Sequence, residues 1–290
     1  MANAIQYILD SIAYGELIMA GAYVMFYTFS WGWFGMIAMT ILVVTVLSLL
    51  MELVAFRPLR RASPVTLLIT SFAVSYALQE LGWMTVGTGP QKGVATYPWL
   101  RKQFEIGGVR ISRIEIATWI VTVVLLLGMT LLLKRTTLGI QLRASTEDFR
   151  MAQLVGVKAN WVISAAFGIT GLLAGAVAIL YMFSPAGGAV APNIGQAPLL
   201  VAFVGGVIGG LGSLAGAALG GFVLGAIINI LGATLPITVK SHTQLFAFLA
   251  VIAILVFLPD GLVSVRGVAA VRLWKRLRRS KQTVAGGAPA

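Results

Sequence analysis

Residues 34–56, FGMIAMTILVVTVLSLLMELVAF, hold a single charged side chain, Glu52, and this run fixes the solvent the chain must fold in. About 20 consecutive apolar residues cross the hydrocarbon core of a bilayer as a helix. In lipid only helices and closed barrels satisfy every backbone N–H and C=O. Barrel strands alternate apolar and polar residues, and this run does not. Further apolar segments lie at 17–31, 65–86, 116–133, 162–183, 198–211, 213–234 and 244–258. The expected fold is therefore all-α: a polytopic transmembrane helical bundle of seven or eight membrane segments. The first, sixth and last are short, and each admits a tilted end, a broken helix or a re-entrant piece. Charged residues make up 10% of the chain, against roughly 25% in soluble domains, too few to cover a water-facing surface.

The net charge of +12 does not point to nucleic acid, because the basic residues sit between and after the apolar runs. There they act as topology signals, the side richer in Lys and Arg being cytoplasmic. Arg57, Arg60 and Arg61, then Lys134, Arg135, Arg143, Arg150 and Lys158, then the basic tail from Arg266 to Lys281 fall on that side. The loop 87–114 is expected outside although it too is basic. The uncharged segment 184–197 reads as an outer loop, and 198–234 as two short passes turning inside near Gly212 and Ser213. Residues 1–265 form the expected transmembrane domain, with a cytoplasmic segment at 137–160. Residues 266–290 form a basic cytoplasmic tail, disordered toward its end and held near anionic lipid by its Lys and Arg. The chain has no Cys and one His, His242, which excludes a disulfide or a histidine metal cluster. The start, MANAIQYILD, lacks the basic region of a secretory signal.

Four features carry functional weight. The run 201–233 places Gly205, Gly209, Gly212, Gly216 and Gly220 near helical spacing, and Ser164, Gly168, Gly171 and Gly175 form a second small-residue face. Small faces let helix backbones approach closely, and the same spacing suits a moving contact beside a translocation path. In 137–160 a short helix is expected from Thr146, with Thr146 as its cap, Glu147 and Asp148 in its first turn, Ala152 on an apolar side and Gly156 as its stop. The membrane surface, the rest of the chain and a soluble partner are all candidate docking sites for it. In 65–86, Ser71, Ser75 and Gln79 form one stripe and are joined by Glu80, an ionisable residue that is costly in the membrane core. Tyr14, Gly15 and Glu16 precede the first apolar segment and read as a polar flank, and Glu52 stands close enough to Arg57 to pair with it. There is no G-x-x-x-x-G-K-[ST] loop and no His-carboxylate-nucleophile set, so no enzyme is expected.

RASTEDFRMAQLVGVKANWVISAAFGITGLLAGAVAIL at 143–180, FVGGVIGGLGSLAGAALGGFVLG at 203–225, and GELIMAGAYV at 15–24 followed by AFRPLRR at 55–61 resemble the branched-chain amino acid ABC transporter permease family of the LivH and LivM type. In that family a cytoplasmic coupling helix docks on an ATPase subunit. Residues Glu147 to Gly156 match it, with Ala152 and Gly156 at the A-x-x-x-G spacing. The resemblance also implies a second permease subunit in a heterodimer, a periplasmic substrate-binding protein, and a bacterial inner-membrane location. ATP is then used by a partner, and no cofactor is bound by this chain. The pattern departs from the family in three places. A preceding helix of about 30 residues is expected ahead of the matched segment. Tyr14 stands in S-I-A-Y-G-E where the family reads N-F-A-H-G-E, and Ala215 stands where Pro is frequent.

The expected mechanism is alternating access driven by the partner ATPases, with Tyr14, Glu16, Ser71, Ser75, Gln79 and Glu80 on the substrate path. The alternative is an ATPase-independent small-solute channel or secondary transporter. A structural subunit, and an importer of urea or amides from the same family, are further readings.

Overall fold

A computed structural model describes residues 2–59, 62–86, 103–106, 109–147, 149–184, 190–210, 214–234 and 243–257. In order come α1 (Ala2–Thr28), α2 (Gly32–Met51), α3 (Pro64–Val86), β1 (Gln103–Ile106), β2 (Val109–Ser112), α4 (Arg113–Arg135), α5 (Thr137–Glu147), α6 (Phe149–Leu154), α7 (Ala159–Phe183), α8 (Gln196–Gly209), α9 (Leu214–Thr234) and α10 (Thr243–Phe257). Each of the eight apolar segments forms the body of a helix, as the chemistry of lipid demands. His242, Gly212, Asp148 and the tail 266–290 lie outside the described residues.

Five stretches are long and apolar enough to cross a membrane: 14–56, 65–85, 113–135, 160–183 and 214–234. The first is two helices. A 3-10 turn at Phe29–Trp31 ends α1, and Gly32 at φ 80° reverses the chain. Gly21 then faces Thr40 and Val44, and Leu17 meets Val44, so α1 and α2 form an antiparallel hairpin. The helices α8 and α10 have 14 and 15 residues, or about 21 and 23 Å at 1.5 Å per residue. A core of about 30 Å is longer than either. The chain is a multi-pass membrane protein.

The helices gather into two compact units, Met1–Leu199 and Leu200–Ala290. The heart of the first is α1, α2 and α7. The small-residue face of α7 lies along α2 in a regular antiparallel register. Gly175 meets Ile41, Gly171 meets Thr45 and Ser48, Gly168 meets Leu49, and Ser164 reaches Glu52. Met19, Ala22, Met25, Met36, Ile179 and Met182 fill the core toward the Gly32 end. Methionine suits so irregular an interface because it is unbranched and flexible.

Within the second unit α8 and α9 form an antiparallel hairpin. A methyl on Gly205 would lie 2.9 Å from Gly221 Cα, Gly209 stands against the Gly216 backbone, and Gly220 against Gly205. Around Gly206, Gly221 and Gly225 nothing described lies within 4 Å of the position a Cβ would take. The predicted series thus serves as a packing face. Ile208, Leu224 and Val251 seal α8, α9 and α10 on their apolar sides.

The loop 87–114 holds an element the sequence reading lacks. β1 and β2 pair antiparallel, with Phe104 opposite Ile111. Ser112 ends β2 and caps α4. Its Oγ accepts from the Glu115 N–H at 3.4 Å while its own N–H donates to Glu115 Oε2 at 2.9 Å, both arms of a capping box.

Candidate functional site

The first candidate centre is a polar seam between α1 and α3. The two helices run in the same direction. Glu16 faces Ser75 and Gln79, while seven residues on, Tyr23 packs against Gly82. Ser75 is the middle residue of the 23-residue α3, so the seam passes near the mid-depth of the span. Ser75 Oγ and Gln79 Nε2 each donate to Glu16 Oε1 at 2.7 Å. The other carboxylate oxygen, Oε2, has no hydrogen-bond partner among the described residues, although Glu16 is only 4% exposed. Placing a carboxylate at the centre of a membrane helix costs about 2.5–3.5 kcal/mol on insertion scales. Two neutral donors on one oxygen offset part of that cost and fix the direction of the other oxygen.

The structure therefore joins three of the six predicted path residues, Glu16, Ser75 and Gln79, and buries Ser71 on the same stripe of α3. It separates the other two. Glu80 is exposed, because one further residue turns about 100° around a helix, away from the Ser71-Ser75-Gln79 line. Tyr14 packs instead against the apolar cluster of Leu17, Val44, Met51 and Ala174. The polar-flank reading of residues 14–16 is corrected as well. All three lie inside α1, and Gly15 is where the backbone of Gly195 crosses the helix. A methyl on Gly15 would sit 3.2 Å from Gly195 O and 3.2 Å from Leu199. The start of α8 thus lies beside α1 at the level of Glu16. The C-terminal end of α7 is level with Phe26, since Gly21 faces Ala178, so α8 begins nearer the middle of α1 than α7 ends.

The second centre lies at the end of α2 that leads to Arg57. Residues Glu52–Phe56 form a π-helical turn, closed by the Arg57 N–H on Glu52 O at 2.7 Å. Such turns are frequent at functional sites. The expected Glu52-Arg57 pairing at the interface is corrected: Arg57 is exposed, while the Glu52 side chain is 1% exposed and turned into the bundle. There its Oε2 accepts from Ser164 Oγ of α7 at 2.9 Å. One turn away, Ser48 Oγ donates to Phe167 O at 2.7 Å.

The third centre precedes α7. Thr136 joins α4 to α5: its hydroxyl donates to Leu132 O at 2.6 Å and accepts from the Gly139 N–H at 3.1 Å. The expected helix start at Thr146 is corrected: the helix is already running from Thr137, and Thr146 lies inside α5. Glu147 ends α5. The stop at Gly156 stands. With φ at +90°, Gly156 donates its N–H to Gln153 O at 3.0 Å, and Val157 donates to Ala152 O at 3.1 Å, the bond pair of a Schellman motif. Ala152 is buried beneath this turn, while Leu154 and Val155 are 83% and 82% exposed.

Comparison with known proteins agrees with these elements. The family described as branched-chain amino acid transport system / permease component matches residues 8–258. The high-affinity branched-chain amino acid transport system permease protein BraD of Pseudomonas aeruginosa is 31% identical over 269 residues, covering 87% of this chain and 85% of that protein. LivH of Escherichia coli K12, described in the same words, is 28% identical over 269 residues, again covering 87% and 85%. A probable branched-chain amino acid transport permease protein LivH of Methanocaldococcus jannaschii is 27% identical over 243 residues, covering 81% and 73%. No solved structure matches the chain significantly. These relatives are transport permeases and not enzymes. With its multi-pass helices and a family match over most of its length, this chain belongs to the branched-chain amino acid transport permease family.

Proposed function

We propose that the chain is the membrane-spanning permease subunit of an ATP-driven importer for branched-chain or similar small amino acids in a bacterial inner membrane. Separate ATPase subunits supply the energy, a second permease completes the path, and a periplasmic binding protein delivers substrate. This chain holds no cofactor of its own in that scheme. The observation that carries the reading is the α5–α6 segment. It presents Leu154 and Val155 at the end that bears Arg57, Lys134, Arg135 and Lys158, and leads through a single glycine turn into α7. Excess Lys and Arg mark that end as cytoplasmic, the compartment that holds ATP. Two large apolar side chains raised there suit a groove on a soluble partner.

Glu147, Asp148, Ala152 and Gly156 belong to the proposed coupling element, and Leu154 and Val155 are added as its contact residues. The α1–α3 seam is the proposed substrate path, with Glu16, Ser75 and Gln79 at its centre. A mild-detergent pull-down of the tagged chain from its native membrane, with each partner identified by mass, tests the reading. An ATPase and a second permease in the eluate are expected. A lone chain that still moves leucine without ATP would replace the importer by a channel or secondary transporter.

A further inference from the structure

Among the described residues, Glu16 carries the one carboxyl on the α1–α3 seam. One oxygen is fully engaged by Ser75 and Gln79, and the other is buried without a partner among the described residues. Such a group calls for a counter-charge, and ionisable residues inside membrane spans characteristically face one. The helices of the seam and those packed around it do not provide it. No Lys or Arg occurs between Met1 and Phe56, between Ala62 and Gln91, or between Ala159 and Val239. These ranges contain α1, α2, α3, α7, α8 and α9 entire. Those six helices supply no Lys or Arg to Glu16, and a cationic ligand would supply the charge.

We propose that Glu16 Oε2 is the seat for the α-ammonium group of the transported amino acid. The proposal rests on the reading of the chain as an amino-acid permease and assigns one residue within it. The ammonium is the only cationic group that every small aliphatic amino acid carries. Its three N–H donors match an oxygen whose twin is already saturated. The donors on Oε1 hold the carboxyl in one rotamer, so that Oε2 is directed before substrate arrives and less ordering is left to binding. The place also fits. The start of α8 lies against Gly15, one residue away, and sites in transporters lie near the midplane where helices begin or break. Alternating parting and closing of α1 and α3 would expose and cover the seat.

Glu16→Gln is the decisive variant because it keeps a carbonyl oxygen for Ser75 and Gln79 and replaces the charged acceptor Oε2 by a neutral NH2 donor that cannot hold an ammonium. The full chain is reconstituted in proteoliposomes with its copurifying subunits, and radiolabelled leucine uptake, basal ATPase rate and complex mass are read together. Separately, Glu16 in the wild-type complex is labelled with a hydrophobic carbodiimide and located by mass spectrometry, with and without leucinol or 4-methylpentanoate. Leucinol keeps the ammonium and lacks the carboxylate, and 4-methylpentanoate does the reverse. Expected are an uptake loss on the order of tenfold or more in E16Q, the size for removing one member of a buried charge pair, with complex mass unchanged, and protection by leucinol alone. E16Q transporting like wild type overturns the proposal, since a bound proton would then be the counter-charge. Failure of E16Q to assemble overturns it in favour of a cation on the partner permease. Equal protection by both analogues overturns it too. Absence of ATP-driven uptake in the wild type would instead defeat the importer reading, and the labelling result stands apart from it.

Discussion

Gly171 and Gly168 lie three residues apart on the same face of α7, and the structure predicts opposite outcomes when each becomes alanine. The Cβ of Gly171→Ala would stand 2.8 Å from Thr45 Cα and 2.8 Å from Ser48 Cβ. Carbon atoms in contact prefer about 3.5–4.0 Å, so α2 and α7 must part by about 0.7–1.2 Å on that side. Overpacking of this kind costs about 1–3 kcal/mol. The separation also strains the Ser48-Phe167 hydrogen bond, one of a class worth about 0.6 kcal/mol on average in membranes. The gain of about 0.8–1.0 kcal/mol from replacing a helical glycine by alanine offsets part of this. At Gly168 the new methyl would meet only the flexible end of Leu49, at 3.7 Å, so the propensity gain remains. The two variants should differ by about 1–3 kcal/mol, with G168A at or above wild type, or on the order of 5 °C in Tm. Thermal melting of the detergent-purified chain, read by loss of the monodisperse chromatographic peak, measures this. If G171A melts no lower than G168A, the α2–α7 contact is not the tight seam described.

The remaining predictions concern the second unit and the coupling element. Gly205→Val should break the α8–α9 hairpin and lower the level of folded chain in the membrane, because its side chain would meet Gly221 backbone. Gly206→Val, with open space described around it, should accumulate near the wild-type level on quantitative immunoblots. Gly156→Val forces a β-branched residue to a positive φ. ATP hydrolysis should continue while leucine uptake falls, and normal uptake in that variant would remove Gly156 from the coupling path. Leu154→Asp should leave the chain in the membrane but strip the ATPase from the pull-down, since the residue is 83% exposed and contributes nothing to the fold by burial.

Helices were legible in the sequence because lipid leaves the backbone few choices. The stripe Ser71-Ser75-Gln79 was legible from its four-residue spacing alone. Glu80 was not, since only its neighbours decide which way a residue at the edge of a stripe turns. Glu16 looked like a flank because the residues before it are mixed in polarity. Its burial comes from α3 and from the Gly195 crossing, both remote in sequence. Hydrophobic spacing marked a helical stretch at 146–156 but began it too late, since the helix runs from Thr137. Thr146 is as good a cap in isolation as it is an ordinary helix residue. The four-residue spacing showed small faces, but which helix each meets, and the looseness at Gly168 and Gly206, depend on neighbours remote in sequence.

The staple at Gly156 carries a mechanical consequence. It ties α6 to the foot of α7, and α7 continues for 25 residues with one face keyed into α2. In the proposed importer, a push delivered at Leu154 would meet no break along α7. It would tilt α7 as a rod, and α2 with it, and through the short turn at Phe29–Trp31 the motion would reach α1. Under that proposal the α1–α3 contact, held by a carboxylate and two neutral donors, is the fault line of the unit, where a displacement begun at Leu154 would become slip at the depth of Glu16.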